Sequence, residues 1–216
     1  MTVGDPRLWQ PLFPDALIPR ILDLIWETWQ RFDKPAADER EVAITRRFKH
    51  ALKQEKDYRR LPVRIEREPA EDDAVTGDEL GRIDLKFNPA ESALEEVYFA
   101  FECKRLYALV SGSVRALASE YVSEGMMRFV AGRYASRMQN GGMIGYVLDG
   151  NPERARHQVA VAIASSAAQL LLSPGTGLDA SLLKPDNANF RVTSHVGPRA
   201  GGLRLHHVFL ARLGRA

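Results

Sequence analysis

The sequence predicts a mixed α/β fold: two helices, three strands, a helix, a strand, a helix and two final strands. Three observations predict it. Apolar residues recur at helical spacing from residue 15 to about residue 60, then at strand spacing through "LPVRIERE", "RIDLKF" and "VYFAFECKRL". The period then returns to 3.6 ahead of a short apolar run between glycines, "GGMIGYVLDG". A strand, a helix and another buried strand make a crossover, so the third and fourth strands should be parallel neighbours.

Each element has its own local signal. "PDALIPRILDLIWETWQRF" sets Leu17, Ile21, Leu24, Ile25 and Trp29 on one helical stripe, with Pro14 and Asp15 to start it. "KPAADEREVAITRRFKHALKQEKDYRR" reads as a second helix capped near Asp38, whose stripe of Glu41, Ile44, Thr45, Phe48 and Leu52 is apolar except at its first member. "LPVRIERE" alternates as a strand, and "PAEDDAVTGDELG" reads as an acidic loop. "RIDLKF" and "VYFAFECKRL" are the next two strands, joined by a turn short enough for a hairpin. "GSVRALASEYVSEGMMRFVAGRYASRMQN" is read as one helix or two, with Tyr121 and Phe129 among its apolar positions. "NPERARHQVAVAIASSAAQLLLS" is a helix with Asn151 as cap and Pro152 at its first position. "NFRVTSHV" and "LRLHHVFLARL" close the sequence as strands; His206 and His207 alternate there, so only one is expected to face inward, and both are read as structural.

Composition restricts the setting. The 216 residues, 45% hydrophobic and 27% charged, suffice for one well-filled core, and a single domain over 1–216 is expected. A formal charge of +2 neither demands nor excludes a polyanionic partner. The lone Cys103 cannot form an internal disulfide, and "MTVGDPRLWQPLFPD" has neither the basic start nor the apolar core of an export signal, so a cytoplasmic protein is expected. The longest apolar run, "VAVAIASSAAQLLL", is too short and too rich in Ser and Gln for a membrane span.

The chemistry concentrates in "GRIDLKF" and "YFAFECKRL". Alternation puts Glu102 and Lys104 on one face of a strand, and hairpin pairing brings Asp84 beside them. A solvated charge pair would account for Glu102 and Lys104, but "VYFAF" is more apolar than a solvated edge strand needs. Two carboxylates this close repel and are costly to bury; a divalent cation offsets that cost, and hard oxygen donors favour Mg²⁺, with Mn²⁺ as a substitute. Lys104 would lie beside the ion, where positive charge and desolvation should lower its pKa toward a range useful for positioning or deprotonating water.

Asp84, then Glu102-x-Lys104 on the next strand, after a helix bearing an inward Glu41 and before a crossover, resembles the PD-(D/E)xK nuclease superfamily. The resemblance covers Glu41 to Val147 and implies a restriction-endonuclease-like αβββαβ core over 37–150, with a mixed sheet flanked by helices. Segment 1–36 is then an N-terminal helical extension, and 151–216 adds a helix and two strands. It implies a Mg²⁺-dependent endonuclease hydrolysing phosphodiester bonds of DNA, with Asp84, Glu102, Lys104 and Glu41 catalytic. Asp84, Glu102, the main-chain carbonyl of Cys103 and Glu41 are the implied metal ligands. Ile83 stands where the family name has proline, which many members also lack. Restriction-like or phage-defence cleavage fits, as do mobile-element function and repair. A catalytically silent binding module of the same fold and an RNA-directed nuclease stay open as alternatives.

Further residues carry weaker signals. Arg46, Lys49 and Lys53, within a basic run that also holds Arg47, Lys56, Arg59 and Arg60, could neutralise phosphates, although an exposed helix face explains them equally simply. Tyr121 and Arg128, on the helix after the motif, are candidate nucleic-acid contacts. Trp9, Phe13, Trp26 and Trp29 make segment 1–36 more aromatic than a helical prefix needs, which suggests a surface for a second copy or a partner subunit. Cys103 points away from the acid and amine, so it is not expected to act as a nucleophile.

Overall fold

The computed structural model describes residues 13–66, 70–72, 79–92, 94, 97–135, 138–197 and 201–212. Helix α1 (Leu17–Arg31) buries the expected stripe, with Ile21, Leu22, Leu24 and Ile25 fully enclosed. It ends where Phe32 turns extended with its amide on the Trp29 carbonyl, and the Lys34 ammonium donates to the carbonyls of Trp29, Gln30 and Phe32. Trp29 spends its indole N–H on the Ala211 carbonyl at 2.8 Å and packs against Phe48 and Tyr146. Phe13 packs on Phe99, and Trp26 on Phe190. Three of the four prefix aromatics therefore fill this molecule's own core; Trp9 lies outside the described residues.

Helix α2 (Glu41–Tyr58) buries Ile44, Thr45, Phe48 and Leu52 as expected. Its cap is not Asp38. Arg40 holds the N-cap position without a side-chain hydrogen bond, and Glu39 organises the entry by accepting from the Ala36 amide and pairing with Arg47 at 2.9 Å.

The strands follow as β1 (Val63–Glu66), β2 (Ala70–Asp72), β3 (Glu79–Arg82), β4 (Leu85–Pro89), β5 (Phe99–Leu106), β6 (Ala108–Val110) and β7 (Ser113–Arg115). The expected acidic loop thus contains a two-stranded ribbon, β2 with β3. The stretch read as one strand, "RIDLKF", is broken at Asp84 between β3 and β4. The expected long helix is short: β6 and β7 form a hairpin, then α3 (Ala118–Glu120) runs through a π-helical segment, Tyr121–Met126, into α4 (Met127–Val130). Strand β8 (Asn140–Val147), helix α5 (Pro152–Ser165) and strands β9 (Asp179–Ala180), β10 (Phe190–His195) and β11 (Leu203–Ala211) complete the described elements. Asn151 caps α5 by accepting from the Arg154 amide at 3.0 Å, with Pro152 at the first helical position.

Seven strands form one mixed sheet in the order β1-β4-β5-β8-β11-β10-β9. The β4–β5 pair is the expected antiparallel hairpin, and β5 and β8 are the expected parallel neighbours, with Glu102 beside Met143 and Lys104 beside Gly145. Helices α1 and α2 cover one face; α5 and the Tyr121–Met126 segment cover the other. Gly142 is required where the Phe101 ring lies over β8, since a Cβ there would overlap the ring. Among the described residues, no helix is long and apolar enough to cross a membrane.

Because both faces are covered, His206 and His207 are both buried, against the expectation that only one would face inward. His207 belongs to a chain whose direction can be deduced. His195 Nδ1 faces the Leu170 carbonyl at 2.7 Å, and a carbonyl can only accept, so Nδ1 carries the proton and Nε2 accepts. Thr193 then donates to His195 Nε2 at 2.7 Å and accepts from His207 Nε2 at 3.0 Å. His207 Nδ1 accepts in turn from the Tyr121 hydroxyl at 2.9 Å. Burial holds the His207 pKa well below its ordinary value, which keeps that imidazole neutral in this chain.

Candidate active site

Asp84 stands in the bend between β3 and β4, where it continues the hairpin ladder by other means. The β4–β5 pairing ends at Leu85 with Phe101, and the Cys103 amide lies one step beyond. The Asp84 carboxylate takes that amide at 2.7 Å, so an acid replaces a carbonyl as acceptor and is drawn against the next strand.

Glu102 and Lys104 project to one face of β5, as alternation requires. Glu102 is 1% exposed, and its Oε1 accepts from Lys104 Nζ at 2.6 Å and lies 3.3 Å from Arg128 Nη1. Its Oε2 is buried and has no hydrogen-bond partner among the described residues. The Lys104 ammonium has three acceptors: Glu102, the Cys103 carbonyl at 3.2 Å and Glu41 Oε1 at 3.2 Å. The second oxygen of Glu41 accepts the Arg105 amide at 2.9 Å, so the first residue of α2 is tied to both the lysine and the strand that carries it. Gly125, in the π-helical segment, leaves room for Met143: a Cβ there would lie 2.5 Å from Met143 Cε, while the 3.5 Å to Lys104 Cγ would be an ordinary contact.

The electrostatics follow from burial. Desolvation pushes Asp84 up to about 6 against the pull of Lys104. Desolvation, with the Asp84 charge as the next cause, pushes Glu102 up to about 8. Among these carboxylates alone, Lys104 is shifted upward, where the expected lowering was for a lysine next to a divalent cation. Burial alone would depress it, but Glu102, Glu41 and Asp84 outweigh burial and hold it above its ordinary value. An ammonium among three carboxylates keeps its proton.

The weaker candidates separate clearly. Tyr121 is fully buried with its hydroxyl spent on His207, which removes it from any nucleic-acid surface. Arg128 reaches the site. Arg46 and Lys53 are exposed on α2, with Lys49 half-buried between them, whereas Arg47, Lys56 and Arg59 are engaged by Glu39, Asp57 and the pair Glu27 and Glu55. The Cys103 thiol is buried on the opposite face against Tyr146, and burial raises its pKa. Sequence reading misses Tyr134, which periodicity places among apolar helix positions. Its hydroxyl donates to the Arg82 carbonyl at 2.6 Å and accepts from Arg128 Nη1 at 2.5 Å. No periodic signal marks such a residue, because its partners come from the end of β3 and a neighbouring helix.

The donors present suit a hard divalent cation. Asp84 comes from the bend before β4 and Glu102 from β5, the Cys103 carbonyl lies between Glu102 and Lys104 in sequence, and the orphaned Glu102 Oε2 is a buried oxygen in need of a positive partner. Among the described residues, no group of three or more Asp, Glu, His or Cys side chains is gathered closely enough to enclose an ion. Glu41, with both oxygens engaged, is placed to orient Lys104. Fold and site together define a mixed α/β protein with a buried glutamate and a lysine on β5 of its sheet and a half-buried aspartate in the bend beside them. No protein-family model, curated protein or solved structure matches the chain.

Proposed function

We propose that this protein is a Mg²⁺-dependent phosphodiester hydrolase of the restriction-endonuclease-like type, acting on DNA. The observation that carries the reading is the meeting of Asp84, in the bend before β4, with Glu102 and Lys104 on β5, with one buried carboxylate oxygen left without a partner among the described residues. Asp84, Glu102 and the Cys103 carbonyl would hold the ion, and Mn²⁺ would substitute for Mg²⁺. An ion held by two carboxylates keeps several waters, as Mg²⁺ prefers. When bound, it supplies positive charge to the scissile phosphate and lowers the pKa of a water.

The protein's own groups do the rest. Lys104 would position or deprotonate the attacking water, with the N–H it gives Glu102 in this structure turned to that water once Glu102 serves the ion. Glu41 fixes the lysine and the Arg105 amide. Arg46, Lys49 and Lys53 would track the backbone along the outer face of α2. DNA over RNA, and restriction-like or phage-defence cleavage over other roles, follow from the family resemblance of the motif.

The test is incubation of the purified protein with supercoiled plasmid, linear duplex, single-stranded DNA and RNA, in Mg²⁺, Mn²⁺ or EDTA, with Lys104→Ala alongside. Metal-dependent cutting of DNA that the variant lacks is expected. Cutting of RNA alone reassigns the substrate. Equal cutting by Lys104→Ala and wild type refutes the site, and inactivity with no metal bound points to a silent module of the same fold.

A further inference from the structure

The two cations on Glu102 are held unequally. The Lys104 side chain is 12% exposed, lies 2.6 Å from Oε1 and has two further acceptors, so all three of its N–H donors are occupied. Arg128 is 32% exposed, lies 3.3 Å from the same oxygen, and makes that contact and its bond to Tyr134 through a single nitrogen, Nη1. Tyr134 is the firmer hold. Its hydroxyl is anchored on the Arg82 carbonyl, and its ring lies 5.5 Å from the guanidinium, within reach of a cation–π attraction. If Glu102 lets go, Arg128 stays tethered at the edge of the site.

We propose that Arg128 is the counter-ion of Glu102 in the metal-free protein and transfers to a substrate phosphate when a divalent cation takes over Glu102. The inference rests on the metal-dependent reading above and adds to it a linkage between metal and substrate. A guanidinium beside Glu102 repels an incoming cation, so Arg128 competes with the metal when no substrate is present. A phosphate at the site offers the fork a bidentate partner, draws Arg128 away and removes that competition. Metal and nucleic acid then tighten each other's binding by the same factor, as linkage requires.

The test is calorimetric titration of Mn²⁺ into wild type, Arg128→Gln and Arg128→Lys, with and without a short phosphorothioate duplex that resists cleavage; melting curves verify folding. Arg128→Gln should bind Mn²⁺ several-fold more tightly than wild type without duplex, and should lose most of the tightening that duplex gives wild type. Arg128→Lys keeps the charge but not the fork: its Mn²⁺ affinity should stay near wild type while the duplex-linked gain falls. Wild type that binds Mn²⁺ while Arg128→Gln binds it equally or more weakly overturns the exchange alone. So does an undiminished duplex-linked gain in Arg128→Gln. Absence of Mn²⁺ binding by wild type overturns the metal reading, and the exchange with it.

Discussion

Asp84 accepts the main-chain amide of Cys103 at 2.7 Å, and through this bond the bend before β4 is fastened to the strand that carries Glu102 and Lys104. The carboxylate serves as a structural acceptor where the ladder stops, and its charge is thereby held close enough to raise the pKa of Glu102. The site is therefore costly to the metal-free fold, which makes several of its properties measurable as stability.

Glu102→Gln should stabilise the metal-free protein at high pH. A carboxyl raised from 4.5 to about 8 binds more protons folded than unfolded across that window, so its contribution is fully present below about 4.5 and is lost as pH rises to about 8. Glutamine mimics the protonated form. The melting temperature should rise more at pH 8 than at pH 5, by about 2–4 °C per kcal/mol for a chain of this length, while cleavage is lost. An equal shift at both pH values would refute the buried charge.

Lys104→Met should act in the opposite sense. It leaves Asp84, Glu102 and Glu41 without their shared ammonium, and the cost should be about 2–4 kcal/mol near neutral pH, moderated by protonation of Glu102 and by Arg128. Urea denaturation at pH 9 and pH 5 checks it: the loss should shrink at pH 5, below the Asp84 pKa of about 6 and the Glu102 pKa of about 8, where both carboxyls are protonated.

Glu41→Gln places an amide N–H₂ against either Lys104 or the Arg105 amide, both of which are donors. Cleavage should fall by about 10–100-fold, the usual cost of disturbing a group that orients a site, with stability lower by about 1–3 kcal/mol. Steady-state rates in saturating Mg²⁺ measure the first, and denaturant midpoints the second.

Thr193→Val breaks the histidine chain at its middle. His195 Nε2 loses its donor and His207 Nε2–H its acceptor. Each loss should cost about 1–3 kcal/mol, with no change in metal affinity. The histidines also set a pH slope. Burial lowers His206 from 6.5 to about 4 and holds His207 well below 6.5, so the unfolded chain binds more protons between about pH 4 and 6.5, and stability falls as pH drops through that range. Glu102 slopes the other way. The fall from pH 7 to pH 5, read from denaturant midpoints, should therefore be steeper in Glu102→Gln than in wild type.

The two opening helices, the β4–β5 hairpin, the parallel β5–β8 pair and the shared face of Glu102 and Lys104 were legible in the sequence. All follow from periodicity over contiguous residues: a period of two assigns faces, and a helix between two strands compels a parallel return. Asn151 and Pro152 were legible for the same reason, since a cap is a local contract between neighbours. What depends on distant segments was not. Whether His206 and His207 are both buried depends on what covers each face of β11. The state of Lys104 depends on how many carboxylates surround it, and three from separate elements reverse the effect that burial alone would have. Tyr121 and Arg128 share one predicted helix, yet the π-helical turn between them gives one to the core and the other to Glu102. Local sequence determined which residues could meet, and only the tertiary packing decided their partners, because charge and desolvation act through space between elements far apart in the chain.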